Sequence, residues 1–288
     1  MTQDNDSQKQ PPPFVPPLIP DGVRPILDIE YARTPEKKLL LDVFLPRELT
    51  KAPLPLIVHI HGGGWAGGSK DFRGDLRQVD QGFAYASISY RLSGEASYPA
   101  QIHDCKGAIR FLRAHGEEYH IDPKRIGVWG ASAGGHLVSL LGTSAGVEEL
   151  EGEVGGNLGF SSEVQAVCDF CGPIDLLQYF ALGGRKVFGP TLGLIDQLLG
   201  GPLGRRRRLA KTANPIRYIT GDEPPFLIVH GKEDMMVPYQ QSVILHEALS
   251  KAGVESSLHV LEGGGHGFGS SEVDAMVDSF FAKHLRDN

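Results

Sequence analysis

The sequence is short of several things, and each shortage closes off a class of function. No apolar run is long enough to cross a membrane as a helix, so no membrane partner is expected. There are three cysteines, an odd number and too few for a disulfide scaffold. Basic charge is not in excess: 28 Lys and Arg face 35 Asp and Glu, a formal net charge of −7. A phosphate backbone attracts the opposite sign, so nucleic acid is not an expected partner. The first 20 residues lack the basic start and apolar stretch of a secretory signal, and a cytoplasmic location is the expectation. No internal repeat is visible. What remains is ordinary globular composition, 288 residues with 41% hydrophobic and 22% charged. That is enough to bury a core without staples.

The N-terminus opens with a largely polar decapeptide and continues as PPPFVPPLIP, with six prolines. Proline lacks the N–H that helices and central strands use, so residues 1–20 read as a flexible, proline-rich arm laid on the surface. Residues 21–288 read as one domain. Within it, ILDIEY, LLLDVFL, PLIVHIH, FAYASISY, RIGVWGA, VQAVCDF, PFLIVHG and SSLHVLE are short apolar runs bounded by turn residues, the pattern of buried strands. Apolar positions at helical spacing fall between them. Ile102, Cys105, Ile109 and Leu112 share a face, as do Leu137, Leu140 and Leu141. Ile244 to Leu249 form a stripe that stops near Gly253, and Val273, Met276, Val277, Phe280 and Phe281 give a last helix its apolar side. Alternating strands and helices predict an α/β fold: a mostly parallel, eight-stranded sheet covered on both faces. One stretch breaks the rhythm. About 50 residues separate Phe170 from Phe226, glycine-rich and with only short apolar patches, which predicts a lid-like insertion at about 175–215. It contains Arg205–Arg208, read as a solvated helix end.

Gly130-Ala131-Ser132-Ala133-Gly134 follows the strand RIGVWG and opens the next helix. This is G-x-S-x-G at a sharp strand-to-helix turn, where glycines on either side of the serine avoid collisions with neighbouring backbone. The turn leaves Ser132 exposed near a helix N-terminus, where negative charge is favoured. His61-Gly62-Gly63-Gly64-Trp65 follows PLIVHI. Neither phosphate-binding glycine pattern fits it. Its bare backbone suits an oxyanion hole built from N–H groups of the loop together with that of Ala133. A serine nucleophile requires a base and an orienting carboxylate. His266 stands out among 11 histidines because it sits in a glycine-rich loop, GGGHGF, after a strand. Asp234, just past PFLIVH, is the favoured acid, with Glu233 and Asp175 as rivals. Ser132, Asp234 and His266 then occur in that chain order, 102 and 32 residues apart. All three, and the HGGGW loop, follow the carboxyl ends of expected parallel strands, the edge where such sheets bind ligands.

The chain resembles the α/β-hydrolase esterases. The likeness is greatest to bacterial feruloyl- and acetyl-xylan-esterase-like enzymes, the BD-FAE group, with hormone-sensitive-lipase-like esterases as cousins. HGGGW (61–65), ISYRLSGEASYPAQIHD (88–104), IDPKRIGVWGASAGGHL (121–137), HGKEDMMVP (230–238) and GGGHGF (263–268) carry this resemblance, which covers roughly 25–285. It implies an α/β-hydrolase fold, a Ser132–His266–Asp234 triad, and an oxyanion hole at Gly63, Gly64 and Ala133. Ala131 stands where the lipase-like cousins usually carry an acid, and the proline-rich arm does not match their helical cap.

The expected chemistry is hydrolysis of a small carboxylic ester through an acyl-enzyme, with no metal or cofactor. An amide hydrolase such as a formamidase is the rival within enzymes. A dead binding protein on this fold is disfavoured because all three triad residues are present. Trp65, beside the oxyanion loop, is expected to touch substrate and narrow the acyl side. Cys168 and Cys171 form a C-x-x-C without the second pair a zinc site would want, and read as core residues.

Overall fold

The computed structural model describes residues 15–35, 37–182, 184–267 and 269–286. Most of the proline-rich arm, residues 1–14, lies outside them. Val15 and Leu18, in the part that is described, are exposed.

Eight strands appear in chain order: β1 Val23–Arg33, β2 Lys38–Pro46, β3 Leu54–Ile60, β4 Ala84–Ile88, β5 Ile121–Ala131, β6 Ala166–Phe170, β7 Phe226–Gly231 and β8 Ser256–Leu261. They form one sheet in the order β1-β2-β4-β3-β5-β6-β7-β8. β1 pairs antiparallel with β2, and β2 antiparallel with β4. Every pairing from β4 to β8 is parallel. The eight apolar runs of the sequence are these eight strands, and the α/β-hydrolase fold is the one observed. β1 begins earlier than its apolar run and includes Pro25, tolerated because the strand is at the sheet edge. β8, the other edge, is only half-buried rather than a core strand.

The helices are α1 Arg77–Asp80, α2 Ala100–Ala114, α3 Ala133–Thr143, α4 Glu148–Glu151, α5 Gln178–Ala181, α6 Gly184–Leu198, α7 Arg207–Thr212, α8 Gln240–Lys251 and α9 Ser271–Leu285. Strand alternation divides the core between the two faces. In β3, Leu54, Leu56, Val58 and Ile60 join one cluster with Ile109 of α2, Leu137 of α3 and Leu245 of α8. Ile57, between them, joins the other with Val79 of α1 and Val277 and Phe281 of α9.

The stretch between β6 and β7 is not an irregular loop. It holds α5, α6 and α7, with α6 kinked at Phe188. Leu192, Ile195, Leu198 and Leu199 of this region are buried. Their helical spacing explains why a glycine-rich segment can still pack against the core.

Candidate active site

β5 ends at Ala131, and α3 begins at Ala133. Ser132 between them has φ 57° and ψ −121°, a strained conformation for a residue with a side chain. The neighbouring glycines explain how the turn is tolerated. A Cβ on Gly134 would press into the carbonyl oxygen of Ile60, and one on Gly130 would lie 2.7 Å from that same oxygen. Strand β3 therefore runs so close to the turn that only glycine fits at either position. The Ser132 N–H donates to the Phe170 carbonyl at 2.8 Å, tying the turn to the end of β6.

Ser132, His266 and Asp234 meet at the carboxyl edge of the sheet. Ser132 Oγ lies 3.0 Å from His266 Nε2, and His266 Nδ1 lies 2.7 Å from Asp234 Oδ2. With the carboxylate as acceptor, Nδ1 carries the proton and Nε2 is left to accept from the serine hydroxyl. Asp234 Oδ1 accepts the backbone N–H groups of Met236 and Val237, both at 2.8 Å. Burial alone would raise this carboxyl. Hydrogen bonding from His230, His266 and the Val237 N–H outweighs it and holds Asp234 well below the usual carboxylate range.

The rival acids are elsewhere. Glu233 is exposed. Asp175 accepts the N–H of Leu177 at 2.9 Å, shaping its own turn.

The HGGGW loop runs beside the serine. A Cβ on Gly62 would lie 2.8 Å from the Ala131 carbonyl oxygen and 3.5 Å from Ser132 Cβ. Gly63 has φ 105°, a conformation suited to glycine. Its carbonyl accepts the N–H groups of Ala66 and Gly67, which curls the loop so that its own N–H is left over. Among the described residues, the N–H groups of Gly63, Gly64 and Ala133 have no acceptor. Three unpaired donors beside a serine hydroxyl form a site for negative charge.

Trp65 is placed differently from the expectation. It is 2% exposed, so its indole is a core group rather than an open wall of the site. Its Nε1–H donates to His136 Nδ1 at 3.2 Å, and His136 Nε2 in turn meets the Ala213 carbonyl at 2.7 Å. A neutral His136, proton on Nε2, satisfies both bonds. Burial suits this, pushing its pKa down to about 4. The apolar cover over the loop comes from α6 instead: a Cβ on Gly64 would meet the Leu194 side chain.

Two neighbours of the triad escaped the sequence reading. His230, treated as a strand residue, lies 3.3 Å from Asp234 Oδ2 through Nε2, and its Nδ1 lies 2.7 Å from Ser242 Oγ. Its place four residues before Asp234, at the end of the same strand, was the available signal. Cys171 is buried like Cys168, but not remote from the site. Its thiol points to the His266 carbonyl at 3.6 Å, and burial raises it far above an ordinary thiol. A cysteine just past a strand end carries no signal of that placement.

Residues 41–249 match the sequence family described as BD-FAE. The chain is similar to Esterase LipC of Mycobacterium tuberculosis, 32% identical over 234 residues that cover 80% of this chain and 57% of that protein. It spans about half the length of the curated relatives it matches. Among solved structures it is similar to a bifunctional GH43-CE protein of Bacteroides eggerthii, with 36% identity and a TM-score of 0.81 over 90% of this chain and 38% of that one. It is likewise similar to a truncated carbohydrate esterase from gut microbiota, with 32% identity and a TM-score of 0.81 over 91% and 96% of the two chains. With the match to most of the chain, the strand order and the serine turn all in agreement, the protein belongs to the BD-FAE family and has its α/β-hydrolase fold.

Proposed function

We propose that the protein is a serine carboxylesterase acting on short-chain or aryl carboxylic esters of the feruloyl or acetyl-xylan type. The observation that carries this is His266 bridging Ser132 and Asp234 beside the unpaired N–H groups of Gly63, Gly64 and Ala133. Relatives named as esterases, one of them a carbohydrate esterase, support the same reading.

Ser132 Oγ attacks the ester carbonyl carbon as its proton passes to His266 Nε2. The carbonyl oxygen becomes an oxyanion held by the three N–H groups, a stabilisation of roughly 3–4 kcal/mol per donor in comparable sites. Asp234 keeps the imidazole in the right tautomer and stabilises its cation. The tetrahedral species collapses, the alcohol leaves with the proton from Nε2, and an acyl-serine remains. Water then attacks the acyl carbon, giving its proton to Nε2. Collapse of this second tetrahedral species releases the acid and restores Ser132. The substrate is a small ester, and every group needed is an amino-acid group of the chain. The insertion at about 175–215 acts as a lid, with Leu194 of α6 over Gly64 restricting the space beside the oxyanion and favouring short acyl groups.

The test is a panel of acetyl to decanoyl p-nitrophenyl esters, with methyl ferulate and acetylated xylan alongside, for the wild type and Ser132→Ala. The expected result is hydrolysis favouring acetyl to about hexanoyl, lost by roughly 10⁴-fold or more in the variant. A folded Ser132→Ala protein retaining a tenth of the activity overturns the assignment of the nucleophile.

A further inference from the structure

Four consecutive arginines, Arg205–Arg208, are an outlier in a chain of net charge −7. They are exposed, as a solvated helix end would be, but they stand at the start of α7. At that end of a helix a cation gains nothing from the backbone dipole. Arg205, Arg206 and Arg208 border one concavity of about 460 Å³, between the start of α2, α4 and α7. Among the described residues, none of the three has a carboxylate within ion-pair range. Arg206 donates to the Gly200 carbonyl at 3.2 Å, which fixes its direction. Glu149 also lines the concavity, with one carboxylate oxygen accepting the Tyr218 hydroxyl at 3.2 Å. Three guanidinium groups against one carboxylate leave an unneutralised positive charge in a concave place. An anion placed there is attracted by all three, most strongly at low salt.

The rest of the lining narrows the ligand. Half-buried Leu209 gives the concavity an apolar wall beside the arginines, while Leu150 behind it belongs to the core. A ligand suited to it has an apolar face and an anionic edge, and its volume exceeds what a lone inorganic anion would use. A planar carboxylate matches the guanidinium fork. The location ties it to the ester site. Pro99 lines the concavity, and the preceding Tyr98 N–H donates to Leu198 at the end of α6 at 2.8 Å. Leu198 is about one helical turn from Leu194, the residue over Gly64.

We propose that this concavity is a subsite for an acidic sugar, a pyranose ring bearing a carboxylate, carried by the same carbohydrate whose ester is hydrolysed. The arginines hold the carboxylate, and Leu209 faces the ring. The sugar's attachment to the ester rests on the carboxylesterase reading, whereas the binding itself does not.

Titration calorimetry of the full chain with glucuronate at low salt tests it, with glucose and inorganic phosphate as the other arms. Arg205→Gln/Arg208→Gln is compared with the wild type, and Arg208→Glu is measured beside it so that the result does not hang on one variant's folding. Saturable glucuronate binding is expected, weakened by added salt, at least tenfold tighter than glucose and at least tenfold reduced in both variants. Hydrolysis of p-nitrophenyl acetate should be unchanged in both. Absence of saturable glucuronate binding, equal binding by wild type and variants, or phosphate binding tighter than glucuronate overturns the proposal. A wild type that binds glucuronate but hydrolyses no ester would refute the esterase reading while leaving the acidic-sugar site standing.

Discussion

The ends of β6 and β7 each carry a buried aspartate, and the two behave in opposite ways. Asp169 on β6 accepts the Ser139 hydroxyl at 3.0 Å and the Gly172 N–H at 2.9 Å, yet burial pushes its pKa up to about 6. Asp234 beyond β7 accepts two backbone N–H groups and faces two imidazoles, and these donors hold it far below the usual range despite burial. Asp169 is the more deeply buried of the two, and burial is the main cause that raises it. Asp234 combines shallower burial with a richer set of donors, and both favour a low pKa. The donor-rich aspartate follows β7, next to the strand that leads to His266, and β6 carries one suited to packing against the serine helix.

The most severe break of that contrast is Asp234→Asn. It preserves shape, removes the charge and allows the wrong tautomer of His266. A loss of about 10⁴-fold in kcat is expected, the size of that change in another serine hydrolase. Steady-state kinetics on p-nitrophenyl acetate measure it.

Stability against pH separates the two carboxylates by sign. For Asp169 the unfolded carboxyl ionises near pH 4 and the folded one near pH 6, so the folded state holds a proton that the unfolded chain has released. The wild type should lose stability relative to Asp169→Asn as pH rises from about 4 to 6, by at most about 3 kcal/mol. Asp234 has the reverse slope. Its contribution is fully present above about pH 4 and is lost progressively below it, where the unfolded chain takes up a proton that the folded carboxylate still refuses. Urea melts of both variants and the wild type from pH 3 to 8 should therefore diverge in opposite directions. Parallel curves would mean that the donor sets do not differ in effect.

A smaller effect tests the second imidazole. His230→Gln removes a neighbour of Asp234 Oδ2 but leaves His266 in place. A loss of roughly tenfold in kcat with little change in KM is expected, since Asp234 would hold His266 less firmly. At the bottom of the scale, Glu233→Gln and Asp175→Asn should each change kcat by less than about twofold, the first being exposed and the second bonded within its own turn. Inactivity of Asp175→Asn would move the triad acid to the end of β6.

The same contrast explains what could be read in advance. The serine turn and the HGGGW loop are governed by backbone: close approach of β3, positive φ at Gly63, a strand feeding a helix. Such constraints demand glycine at fixed positions, so they are written in the residues themselves. The sheet was legible for a similar reason, because buried parallel strands are short and continuously apolar. The stretch at 175–215 was read as a lid-like insertion with only short apolar patches, because glycines and a proline at 190 dilute its helical periodicity and only the spacing of Leu192, Ile195 and Leu198 betrays α6. Trp65 was misread because its place in the motif says where its backbone is, not where its indole goes. The destination depends on His136, 71 residues away. Cys171 and His230 reach the site through strand ends, where sequence does not distinguish a core position from one that touches a functional group.

The chain from Trp65 through His136 to Ala213 is a tether with two hands. One grips the glycine loop, and the other grips backbone at the foot of the insertion. Because the middle link is a single neutral tautomer, it works only if residue 213 offers a carbonyl at that place. An engineer who transplants another relative's segment into 175–215 to change selectivity must keep this anchorage. Without it the graft would slacken the loop from beneath, although no residue of HGGGW had been altered.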